Sequence, residues 1–117
     1  MKKDYSCQNE KKIIINECNR IRQLDIKRIS HIKCDSYIST IHFIDQEKPV
    51  VTGRLLKLFE LELSELGFVR ANRNILVNTK HIEKIECVKE RILTLVNQET
   101  IQASFRQITK IKKFMNN

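Results

Sequence analysis

Residues 68–85 read FVRANRNILVNTKHIEKI. The aliphatic knot Ile75-Leu76-Val77 belongs in a core, since fully burying one such side chain is worth roughly 1.5–3 kcal/mol. Both flanks are polar: Arg70, Asn72, Arg73 and Asn74 come before the knot, and Asn78, Lys80 and His81 after it. A buried anchor with donors on either side can be an ordinary solvated strand end. It can also hold side chains rigidly toward a partner. The rest of the chain has to separate the two.

Working outward, the stretch just before this one has helical spacing. RLLKLFELELSEL sets Leu55, Phe59, Leu63 and Leu66 on one stripe, with Thr52 as a cap and Gly67 as a left-handed stop. Phe68 can fold back on the last turn. Earlier still the chain is β-rich. KKIIIN (11–16) is a short β-branched run, NRIRQLDIKR suggests a second strand and a turn, and ISHIKCD (29–35) and YISTIHFI (37–44) flank a turn at Asp35-Ser36. Residues 37–44 are apolar on both faces, which predicts cover on both sides. Pro49 suits the first residue of an edge strand, PVVT.

Downstream, IEKIECVKE and RILTLVNQETIQAS read as strands, the second as a hairpin turning at Asn97-Gln98-Glu99. The tail SFRQITKIKKFM begins with Ser104 and Gln107 in a capping-box pattern. It places Ile108, Ile111 and Met115 on one face, with Lys110, Lys112 and Lys113 late in the helix, where its dipole favours cations.

Composition narrows the function classes. The chain has 117 residues, 41% of them apolar, enough for one domain with a real core. We expect a flexible segment at 1–10 and a single domain over 11–117. No apolar run approaches the roughly 18 residues of a membrane span, and no apolar stretch follows the charged N-terminus, so a cytoplasmic protein without membrane insertion is expected. Cys7, Cys18, Cys34 and Cys87 form no CxxC pair and are expected as free thiols; no cysteine or histidine has metal-ligand spacing. No glycine-rich phosphate loop, nucleophile elbow or HExxH is present. Neither an enzyme nor a cofactor is expected.

Net charge is +8 and uneven. Residues 1–69 carry 12 Lys/Arg against 10 Asp/Glu, whereas residues 70–117 carry 10 against 4. Basic excess gathered in one part of a small domain fits a polyanionic partner, and equally a solubilising surface.

One resemblance joins these pieces. Phe68, Arg70, Arg73, Leu76, Val77 and Asn78 fit the pattern Phe-x-Arg-x-x-Arg-x-x-Leu-Val-Asn, followed by the Ile82/Ile85 pair; Ala103-Ser104 then leads into Arg106. With the leucine-rich helix placed before them, residues 11–115 resemble the LytTR DNA-binding domain of bacterial response regulators. The resemblance implies a mainly β, elongated fold of antiparallel sheets, with one central short helix and a C-terminal helix. It also implies a sequence-specific transcriptional regulator that reads double-stranded DNA, often promoter repeats, from separate loops. Carried over position by position, it makes Arg73 and Arg106 base-contacting residues, with Asn74 beside Arg73 and Tyr37 in the loop before YISTIHF.

Arginine can donate a bidentate pair to guanine and asparagine can pair with adenine. Lys80, Lys110 and Lys113 are candidates for phosphate. Arg70 reads as a salt-bridging scaffold residue and Asn78 as a turn-satisfying one; Tyr37 fits the cover of a sheet edge equally well, and the lysine run at 110–113 also fits a solvated helix face. Where many members have His-Arg-Ser, this chain has Asn72-Arg73-Asn74, and Phe105 replaces the first arginine of Ser-Arg-Arg, so either a different base preference or the loss of one contact is expected. No receiver domain precedes the motif in this sequence. The expectation is a stand-alone LytTR domain governed by its expression or by a separate inhibitory or sensor protein. The competing expectation is a protein-interaction module on the same scaffold, using exposed strand edges and binding DNA only non-specifically. RNA binding ranks last, because only 6% of residues are aromatic and most read as core.

Overall fold

The computed structural model describes residues 11–17, 19–86 and 88–116. The expected flexible segment 1–10 lies outside these, as do Cys7, Cys18 and Cys87. The chain runs β1 (Lys12–Asn16), β2 (Ile21–Asp25), β3 (Ile29–Asp35), β4 (Ile38–Phe43), β5 (Val50–Thr52), α1 (Leu56–Leu63), β6 (Phe68–Asn72), β7 (Ile75–Asn78), β8 (Ile82–Glu86), β9 (Ile92–Leu95), β10 (Thr100–Gln102) and α2 (Phe105–Asn116). Short 3-10 turns fill Ile26–Arg28, Ser64–Leu66 and Thr79–His81. Every strand pairing is antiparallel.

The central sheet has the order β5-β4-β3-β7-β6, flanked by the hairpin β1-β2 and a three-stranded sheet β10-β9-β8. Alternation along the opening stretch shows how it is sandwiched. Phe68 and Leu76 enter one core with Ile13, Ile15, Ile32, Ile41 and the α1 residues Leu56, Phe59 and Leu63. Val69 and Val77, one position on, enter a second core with Leu93, Leu95, Ile108 and Ile111. Successive strand residues point to opposite faces, so β6 and β7 are lined on both sides. The aliphatic knot is therefore a hinge between two cores, with Leu76 and Val77 fully buried.

Several local expectations are corrected. Thr52 does not cap α1: its Oγ1 accepts from the Arg54 amide at 3.3 Å, and Leu55 precedes the helix without a side-chain cap. The buried stripe starts at Leu56, while Leu55 is half exposed. Gly67 ends the segment as a left-handed residue at φ 96°, but only after the Ser64–Leu66 turn. The Ser104 cap is half a box. Ser104 Oγ accepts from the Gln107 amide at 3.2 Å, but the Ser104 amide donates to Ala71 O, and Gln107 Oε1 is buried with no partner among the described residues. Met115, expected to share the buried face, is exposed.

β4 is covered on one side only. Ser39, Ile41 and Phe43 are buried, whereas Ile38 is exposed and Thr40 and His42 are half-buried. The second core draws on β6 and β7 and stops short of β4 and β5. At that margin His31 and His42 stack, centroids 4.5 Å apart and rings 7° from parallel. Ser30 Oγ gives its proton to His42 O at 3.1 Å, so His31 Nδ1, 3.0 Å from the same oxygen, carries a proton and donates. Burial, then the neighbouring His42 and Lys33 charges, push the His31 pKa down to about 4. Among the described residues, no helix is long and apolar enough to cross a membrane, and no group of His, Cys, Asp or Glu could hold a metal ion.

Candidate nucleic-acid interface

β6 and β7 are joined by a two-residue turn, Arg73-Asn74, held from three directions. The Asn74 amide donates to Asn72 Oδ1 at 2.8 Å, a local side-chain turn that asparagine supplies readily. Arg70 Nη1 donates to Arg73 O at 2.7 Å while its Nε meets Glu60 on α1 at 3.1 Å. Arg70 is thus the expected scaffold residue, tying the turn to the helix. A bulge between Arg70 and Asn72 re-aims the end of β6. The side chains of Arg73 and Asn74 stay exposed.

This turn is the middle of a row of connections stitched together by hydrogen bonds. On one side, Cys34 N donates to Asn74 O at 2.8 Å, which places the β3–β4 turn alongside. Ser36 sits there at φ 61°, and Tyr37 occupies the turn itself, ahead of the strand, with 81% of its surface exposed. Cys34 is a free thiol whose Sγ lies 3.3 Å from Ser36 O. Ser39 Oγ continues the row by donating to Arg54 O at 2.7 Å. On the other side, Asn72 Nδ2 donates to Gln102 O at 2.8 Å, and the Ser104 amide to Ala71 O at 2.8 Å, which fixes the start of α2 and hence Arg106 beside the turn. Beyond that, Arg91 Nε donates to Ala103 O at 3.0 Å, closing the row with the β8–β9 loop.

Tyr37, Arg73, Asn74 and Arg106 therefore lie on one edge. With strands about 4.8 Å apart, the β3–β4 and β6–β7 turns stand two strand spacings, roughly 10 Å, from each other. All four are exposed, and among the described residues neither arginine forms an ion pair. Asp35 and Glu90 bring acidic groups to the flanks of the row.

The three lysine candidates part company. Arg106, Lys110 and Lys113 are spaced i, i+4, i+7 on α2 and form a stripe on the side away from the buried Ile108 and Ile111. The stripe starts at the edge and runs along the helix away from it. Lys80 is not there. β7 begins at the Arg73-Asn74 turn and ends at the Thr79–His81 turn, so Lys80 sits at its opposite end. Asn78 is structural as expected: it is 2% exposed, its Nδ2 donates to Ile29 O at 3.0 Å, and its Oδ1 accepts from Lys80 N at 3.1 Å.

Two residues were missed in the sequence. Asn72 bridges β6 to Gln102 besides making its own turn. Phe105, read in the sequence only as the replacement for an arginine of Ser-Arg-Arg, is 81% exposed next to Arg106. Its i, i+3 spacing to Ile108 gives no sign of this; its place in the first turn, directly after the Ser104 cap, leaves it beyond the buried part of the stripe.

A rigid antiparallel frame that offers unpaired basic and amide side chains from separate loops is the build of a loop-reading binding domain. The family model for the LytTr DNA-binding domain matches residues 19–116, and the chain belongs to that family. It is thereby a DNA-binding domain of the regulator type. Among solved structures, one similar chain is the LytTr DNA-binding domain of a protein described as a methyl-accepting/DNA response regulator from Bacillus cereus. The TM-score is 0.75 at 17% identity, over 91% of this chain and 97% of that one. At that identity the likeness establishes the fold. No curated protein matches the chain.

Proposed function

We propose that this domain binds duplex DNA sequence-specifically to control transcription, reading bases with the edge that carries Tyr37, Arg73, Asn74 and Arg106. The observation behind the reading is the hydrogen-bonded row itself, which sets three separate connections side by side with their basic and amide side chains unpaired. Arg73 and Arg106 donate bidentate pairs to guanine edges, Asn74 pairs with adenine, and Tyr37 and Phe105 offer apolar surface to thymine methyls. Lys110 and Lys113 meet phosphates along α2 and fix register without reading sequence. Lys80, at the far end of β7, has no part in this contact. The row serves as pre-organised support: Arg70, Asn72 and Arg91 spend their donors on backbone carbonyls, so the readers lose little freedom on binding. Residues 11–117 act as one domain, in the cytoplasm and on promoter repeats, governed by the protein's expression level or by a separate inhibitory or sensor protein.

A second reading keeps the scaffold and changes the partner. Leu55, Leu58 and Leu61, spaced i, i+3, i+6, are all about half exposed or more, and β5 ends the central sheet with Val51 exposed. That surface fits a protein-interaction module. Selection from randomised duplexes separates the two: an enriched motif lost in Arg73→Ala supports base reading, and no enrichment supports the module.

A further inference from the structure

The end of the molecule opposite the reading edge holds a cleft of about 440 Å³. Two 3-10 turns frame it, Ile26–Arg28 and Thr79–His81, and both are braced. Lys11 O accepts from the Ile26 amide at 3.0 Å, and His81 Nε2 lies 2.6 Å from Lys27 O, so the ring joins one turn to the other. The second turn is pinned again where Thr79 donates to Gly67 O through both its amide (2.9 Å) and its hydroxyl (2.6 Å). The Lys80 stem passes beside Gly67: a Cβ there would lie 3.5 Å from Lys80 Cε, an ordinary contact, and 3.3 Å from Thr79 Oγ1, a tight one.

The lining divides by chemistry. Ile26 and Leu66 give an apolar floor, and Asn78 beneath has its side chain committed to Ile29 O and Lys80 N. The rim carries the exposed Lys11, Lys27 and Lys80, with His81 half-buried beside them. Among the described residues, none of these lysines has a carboxylate within ion-pairing distance. Three like charges around one concavity repel one another, and an anion bound among them relieves that. Because Nε2 of His81 faces a carbonyl, that nitrogen holds a proton and donates, and the ring serves as a brace between the two turns.

We infer that this cleft is a binding site for a small organic phosphate monoester, its dianionic head among Lys11, Lys27 and Lys80 and its short apolar body on Ile26 and Leu66. A dianion answers three ammonium groups better than a single carboxylate does, and lysine serves phosphate as a point charge without demanding a fixed plane. The volume lies within the range of small-ligand sites, and the mix of apolar floor and few polar groups is their usual lining. The site shares no residue with the reading edge, so it stands or falls apart from the proposed DNA contact.

Titrating the ¹⁵N-labelled whole chain with hexyl phosphate tests it by amide chemical shifts. The expected result is saturable shifts at Lys27, Leu66, Asn78, Lys80 and His81, weaker binding of inorganic phosphate at the same amides, and none of hexan-1-ol. Lys27→Gln with Lys80→Gln should weaken hexyl phosphate by at least about tenfold, the loss of roughly one charge-assisted contact, while β3 and β4 amides stay in place and report an intact fold. The inference is overturned by absence of saturable shifts, by shifts unchanged in the double variant, or by hexan-1-ol reproducing them. It is also overturned if a DNA duplex saturates these amides with the same lysine dependence, since the lysines would then belong to the DNA surface.

Discussion

Replacing Asn78 by alanine removes a side chain that ties the Thr79–His81 turn to the start of β3. Two hydrogen bonds go. Ile29, which accepts from Nδ2, is wholly buried, so its carbonyl is left without water at a cost of about 1–3 kcal/mol. The Lys80 amide loses its Oδ1 partner at a more exposed position and can be rehydrated, for about 0.5–1.5 kcal/mol. The sum centres near 3 kcal/mol, a large part of the roughly 5–15 kcal/mol that holds a domain of this size. Equilibrium urea unfolding should show that loss as a lower midpoint with unchanged slope. Below the transition, the variant should bind DNA as the parent does, because Asn78 lies at the far end of β7 from Arg73. A loss under about 1 kcal/mol would refute the hydrogen-bond argument. A folded variant that no longer binds would show Asn78 to be a contact, not a support.

Other outcomes follow from the same geometry. Arg73→Ala and Arg106→Ala should each cost about 1–3 kcal/mol on the specific duplex and far less on a scrambled one, by fluorescence anisotropy. Lys110→Ala or Lys113→Ala should weaken all sequences alike and flatten the log K against log salt slope by about 0.9 each, whereas Lys80→Ala should leave that slope unchanged. Acid should weaken the fold through His31. Its folded pKa lies below the ordinary 6.5, so the unfolded chain takes up a proton first; stability is fully present above pH 6.5 and falls as pH drops toward 4, by about 3 kcal/mol at that point. His42, lowered mainly by burial, adds in the same direction against the opposing pull of Glu99. Urea unfolding at pH 7.5, 6 and 5 should show this decline, and His31→Gln should flatten it.

The strands and both helices were legible because β-branched runs, the Gly67 stop and the Ser104 cap are local signals. Where α1 begins was not. RLLKLFELELSEL puts leucine on every side of a helix, so period alone could not choose the Leu55 stripe over the Leu56 one, and Thr52 found a nearer partner in the Arg54 amide. Tyr37 moved from strand to turn because Ser36 adopts a left-handed conformation, which few non-glycine residues advertise. Within the candidate site, Arg73, Asn74 and Arg106 were readable from motif and chemistry, yet their meeting rests on contacts far apart in sequence, such as Asn72 to Gln102. Lys80 was grouped with them because it is near in sequence. A four-residue strand was enough to carry it to the other end of the sheet.

The most direct test is selection from randomised duplex DNA, followed by anisotropy on the enriched site and a scrambled control at two salt concentrations. We expect a recurrent motif bound about 10³-fold tighter than the scramble, with that margin collapsing in Arg73→Ala. No enrichment, with binding that disappears as salt rises, would contradict base reading by this edge and leave only non-specific attraction between a basic surface and phosphate.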